Sequence, residues 1–176
     1  MTVAPQLARR IALTHQLLLE AATTTPDDDL RWVPGPSAPP IAFHAWHCGR
    51  WADRWAEALG AGGQVWTKRG LASDWGFPAA LGGGDTGMQL PDEDAAKLPF
   101  PDRATLVAYV RAAFAALEQA LDRLTDEALL VAADDFLGER PPLGDSLLRQ
   151  LAHANRHLGM IEALRGVRGM RGTATV

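Results

Sequence analysis

Residues 146–166 read SLLRQLAHANRHLGMIEALRG. Leu147, Leu151, Leu158 and Ile161 recur at helical spacing and form one apolar arc, with Asp145 or Ser146 placed to cap the first turn and Gly166 to stop the last. His153 and His157 stand four residues apart, so their rings stack one turn apart on the same side, at the edge of that arc beside Met160 and Leu164. Two imidazoles so spaced can chelate one metal ion or stay as a partly buried, hydrogen-bonded pair.

Three further helices lie upstream. Residues 103–124, RATLVAYVRAAFAALEQALDRL, repeat apolar side chains at 106, 110, 114, 117, 121 and 124, and Asp102 is placed to cap them. Residues 41–61, IAFHAWHCGRWADRWAEALGA, follow Pro39-Pro40 and stop at Gly60–Gly63, the usual asymmetry of helix ends. The first segment, about 4–22, carries Leu7, Ile11, His15, Leu18 and Ala22 on one face. It must end before VPGPSAPP (33–40), whose four prolines remove amide donors and fix φ. Thr125-Asp126-Glu127 open one short turn, and GERPPLGDS (138–146) breaks the chain before the last helix. Residues 64–101 hold no sustained period and carry Gly82-Gly83-Gly84 with Pro78, Pro91, Pro99 and Pro101, an excursion over the surface that has room for short helical turns or one hairpin. The pattern predicts an all-α fold: one domain over 1–176, an antiparallel four-helix bundle with a long irregular excursion between its second and third helices, and a flexible tail over 165–176.

Composition narrows the function. The chain has 176 residues, 47% of them hydrophobic, which is enough for a sizeable core. Seventeen Lys+Arg against 21 Asp+Glu give a net charge of −4, so the overall basic footprint of a nucleic-acid binder is absent. The clustered Arg165, Arg168 and Arg171 suit a helix C-terminus and frayed tail better than a nucleic-acid contact. No long apolar run or signal-peptide pattern stands out, and the expectation is a cytoplasmic protein with no membrane partner. The one cysteine, Cys48, excludes a disulfide framework and a multi-thiolate metal site, so a metal here must be carried by histidine, of which there are five.

His44 and His47, three apart in FHAWHCGRW, are a second pair on one helical side, and either can face the bundle. Two facing helices then supply imidazoles to one site, and three of them plus open positions is an established catalytic zinc arrangement. No Glu accompanies the HxxxH pair as in HExxH, and GGGDTG (82–87) lacks the lysine of a phosphate loop and reads as a turn. His15 lies on the apolar stripe of the first helix and reads as a core histidine. Cys48 points about 100° away from His47 and reads as an inert buried thiol. Asp53, Glu57, Asn155 and Glu162 are the carboxylates and amide near enough in sequence to orient the imidazoles. Trp46, Trp51, Trp55, Trp66 and Trp75 read as core and dimer packing ahead of substrate stacking.

The segments SAPPIAFHAWHCGRWADRW, SDWGFPAALGGGDTGMQLP and SLLRQLAHANRHLGMIEALRG together resemble the DinB-like family, related to thiol-dependent transferases and the maleylpyruvate isomerase metal domain. The likeness spans essentially the whole chain. It implies a four-helix bundle, often a homodimer, with a divalent metal (Zn, Ni or Fe) held by one histidine of the second helix and two of the fourth. Matched to this sequence, those are His47, His153 and His157, with His44 as a neighbour of the ligand set. The implied activity is metal-dependent transfer of a group between a small-molecule substrate and a low-molecular-weight thiol, with hydrolysis or isomerisation as related chemistries. A non-catalytic metal-binding or dimerisation module is the alternative.

Overall fold

The computed structural model describes residues 2–173. Four long helices, α1 (Ala4–Thr24), α3 (Ile41–Ala58), α7 (Arg103–Leu121) and α9 (Leu143–Val167), make the bundle. Short helices join them: α2 (Asp27–Leu30), α4 (Val65–Lys68), α5 (Leu71–Asp74), α6 (Asp92–Ala95) and α8 (Asp126–Leu129), with a 3₁₀ turn at Ala79–Gly82. No strand, and so no hairpin, occurs among the described residues; two isolated bridges pair Gly35 with Ala38 and Ala132 with Pro142.

The helices pack in the ring α1, α7, α3, α9. His44 and His47 of α3 meet His157 and His153 of α9, so α3 and α9 run antiparallel. Thr14 meets Asn155 and Thr25 meets Arg165, so α1 and α9 run parallel. His15 stacks on Phe114 while Asp27, just past α1, accepts from the first amide of α7, so α1 and α7 run antiparallel. It follows that α3 and α7 are parallel. The expected bundle therefore mixes two antiparallel with two parallel contacts, because the excursion carries the chain back to the end where α3 began.

That excursion is anchored by aromatic burial. Trp66 is fully buried and donates its indole N–H to the Leu81 carbonyl at 2.7 Å, and Trp75, Phe77, Phe100 and Tyr109 surround it and Trp46. Burying rings of this size accounts for a compact path in a segment with no sustained period.

Among the described helices, two start with a side-chain cap. Asp102 accepts from the Thr105 amide at 2.8 Å, as read from sequence, and Thr125, which opens the short turn, accepts from the Ala128 amide at 3.3 Å. The last helix instead starts at Leu143 behind Pro142 and has no side-chain cap, since Asp145 and Ser146 already lie inside its first turn. The described part of the expected tail, residues 165–173, is docked on the bundle. Arg165 is buried and donates to the Ala21 carbonyl and the Thr25 hydroxyl, while Arg168 pairs with Asp29 at 2.5 Å and lies over Trp32. Residues 174–176 of that tail lie outside the described residues. By length and apolarity alone α7 is able to cross a membrane, but it is a core helix with half of that window buried in the bundle.

Candidate metal centre

The antiparallel contact of α3 and α9 brings His47, His153 and His157 together. The His47 Nε2 lies 3.0 Å from the His153 Nε2, which lies 3.1 Å from the His157 Nε2. With metal–nitrogen bonds of about 2.1 Å, two ligands are about 3.0 Å apart at a right angle and about 3.4 Å apart at the tetrahedral angle. The spacing fits one divalent ion.

Each ring has a distinct second contact. The His47 Nδ1 donates to the Thr86 carbonyl at 2.6 Å; a carbonyl only accepts, so His47 carries its proton on Nδ1 and leaves Nε2 as a lone pair. The His157 Nδ1 shares a 2.9 Å hydrogen bond with the Nδ1 of His44, which is buried beside the three rings. The His153 Nδ1 is buried with no partner among the described residues. Burial is the largest cause holding all four rings neutral: it pushes His44 and His47 down to about 4, His153 to about 3 and His157 to about 2. Neutral imidazole is the form that binds metal, so the donor set suits the ion.

The centre opens into a cavity of about 720 Å³ whose apolar wall includes Phe43, Trp51, Trp55, Leu137, Met160 and Leu164. Trp51 and Trp55 thus line this cavity, whereas Trp46, Trp66 and Trp75 belong to the core. The proposed orienting residues are occupied elsewhere. Asp53 accepts from the Val65 and Trp66 amides, Glu57 from Gln64, Asn155 from Thr14, and Glu162 from Thr173. The contact to His47 comes instead from a main-chain carbonyl in the excursion, for which no side-chain motif exists. GGGDTG is a held segment rather than a free turn, since Gly83, Asp85 and Thr86 all accept hydrogen bonds from α3.

Two other sequence candidates lie apart from the centre. His15 is buried, stacked on Phe114 with centroids 3.8 Å apart, and bonded through Nδ1 to Glu118 at 2.7 Å, a satisfied core histidine. Cys48 is buried, and desolvation pushes its thiol far above the ordinary range.

A family model described as the DinB superfamily matches residues 10–161. The chain belongs to the DinB superfamily. Two solved structures share its fold. A conserved protein from Enterococcus faecalis aligns with a TM-score of 0.79 and 20% identity over 96% of this chain and 99% of its own. A DinB-like protein from Bacillus cereus ATCC 10987 aligns with a TM-score of 0.69 and 16% identity over 99% and 98%. Among curated proteins none matches this chain in sequence.

Proposed function

We propose that this DinB-superfamily protein is a cytoplasmic, homodimeric metalloenzyme that joins a low-molecular-weight thiol to a small apolar electrophile. The observation that carries the reading is the convergence of three neutral Nε2 donors, 3.0 and 3.1 Å apart, at a 720 Å³ cavity. His47, His153 and His157 would hold a divalent ion of the Zn, Ni or Fe type, for which imidazole is a suitable ligand. When bound, the ion supplies Lewis-acid chemistry, lowering the pKa of a thiol or water.

The chain's own groups do the rest. Phe43, Trp51 and Trp55 offer aromatic surface to the apolar body of a substrate and exclude water around it. The Thr86 carbonyl and His44 orient two of the three ligand rings through the bonds given above. Cys48 is sealed in the bundle, so the reacting thiol arrives as a cosubstrate.

Metal per chain in untagged protein, supplied with Zn, Ni, Fe and Mn during growth, is the first test, and near-zero occupancy overturns the reading. A screen of thiols against electrophiles follows: metal-dependent consumption of both supports the transferase. A loaded protein that turns over none of the pairs favours the non-catalytic module. Light scattering decides the dimer.

A further inference from the structure

Arg50 stands one helical turn beyond His47, is fully buried, and is not among the residues that line the cavity. We propose that Arg50 is a positioning residue for the metal centre: it holds segment 83–87 where the Thr86 carbonyl keeps the His47 proton on Nδ1 and its Nε2 free. The proposal rests on the three-histidine reading above.

The geometry forms a closed loop. The Arg50 guanidinium donates to the Gly83 carbonyl at 2.6 Å, the Asp85 carbonyl at 3.2 Å, the Gln64 Oε1 at 2.8 Å and the Asp53 Oδ2 at 3.3 Å. The next residue after Asp85 is Thr86, whose carbonyl accepts from His47 at 2.6 Å. Helix α3 therefore grips the segment at two points one turn apart, with Arg50 as one and the metal ligand as the other. Asp53 steadies the guanidinium and is itself fixed by the Val65 and Trp66 amides at 2.7 and 2.8 Å.

The segment needs such a grip. Gly82-Gly83-Gly84 loses more backbone entropy on ordering than any other tripeptide, and no ladder or long helix organises it. Its other anchors are the Asp85 carboxylate, which accepts the Gly87 amide at 2.6 Å, and the close approach of Gly87 (φ +79°) to Trp46 of α3, where a Cβ would sit 2.7 Å from the ring. A buried guanidinium is costly unless every donor is used, and its planar fork reaches several acceptors at once, which a lysine ammonium cannot match. Without the Thr86 contact, a neutral imidazole is free to place its proton on Nε2 and lose its ligand lone pair.

The test uses the full chain and zinc alone as the probe. Zinc affinity is measured by competition with a chromophoric chelator, and the His47 tautomer by ¹⁵N shifts of the metal-free protein. Arg50→Met and Arg50→Lys are expected to keep their helical circular dichroism, bind zinc 10–100-fold more weakly, the usual loss when the outer partner of a ligand is removed, and show a mixed His47 tautomer. Arg123→Met removes an exposed arginine that donates to the Gln119 carbonyl and is expected to leave both readouts unchanged. If Arg50→Met does not fold, Gly87→Ala pushes the segment off Trp46 with Arg50 intact and is expected to give the same two changes. Wild-type zinc affinity, or a His47 still wholly protonated on Nδ1, in a folded Arg50→Met or Gly87→Ala protein overturns the proposal. If the wild-type protein itself binds no zinc, the three-histidine reading fails, and the tautomer measurement alone then decides the role of Arg50.

Discussion

Valine at Gly49 and valine at Gly159 are expected to move stability in opposite directions. Gly49 is where α3 meets α7. A Cβ built there lies 3.1 Å from the Tyr109 Cε1, 3.4 Å from the Val110 Cγ2 and 3.6 Å from the Val110 Cα, and both neighbours are 1% exposed. Valine adds two γ carbons beyond that Cβ, so the parallel helices must separate or Tyr109 must leave its place. Overpacking of this kind costs about 1–3 kcal/mol, and the better helix propensity of valine returns about 0.4 kcal/mol. A net loss of about 0.6–2.6 kcal/mol is expected. Unfolding entropy of roughly 2.1 cal/mol/K per residue converts this, for 176 residues, to a fall in Tm of about 2–7 °C. Gly159 sits on the exposed side of α9, where a Cβ meets nothing within 4 Å, and the same change should raise Tm by about 1 °C. Thermal melts followed by circular dichroism at 222 nm, with urea titrations beside them, make the comparison. Melting points within 1–2 °C of each other would refute the claim that Gly49 is selected by the approach of α7.

The centre itself makes a simpler claim: His153→Ala removes the ligand shared by both short N···N contacts, and metal analysis should find the folded variant at less than a tenth of wild-type occupancy. The pH dependence follows from burial. His44 and His47 titrate near 4 in the folded chain against about 6.5 unfolded, so the unfolded state binds more protons below pH 6.5. Stability of the metal-free protein is thus full above pH 6.5 and falls as pH drops toward 4; urea midpoints that stay level between pH 7 and 5 would contradict this. Metal should be retained through pH 6 and released only below about 5, read by dialysis and metal content. Cys48 should resist a disulfide-exchange reagent at pH 8 in native protein and react fully in urea, and rapid native labelling would show the thiol to be accessible.

Helical period, prolines and glycines were enough to place the four long helices, because each buries a continuous apolar stripe whose spacing is written locally. The same spacing put His153 and His157 on one side of α9 and His44 and His47 on one side of α3. Between the last two, the residues alone left the choice open, since an i, i+3 pair shares a face and only the partner helix tells which ring meets it. Packing of α3 against α9 aims the His47 Nε2 at His153 and turns His44 to the far nitrogen of His157. Helix direction was likewise out of local reach, because residues 64–101 have no period from which a path is read; burial of Trp66, Trp75 and Phe77 sets it, and that path makes α3 and α7 parallel. The proton on His47 is decided furthest from its own neighbourhood in the chain. Its acceptor is the main-chain carbonyl of residue 86, a group every residue carries, and nothing but folding brings that carbonyl within 2.6 Å of the ring.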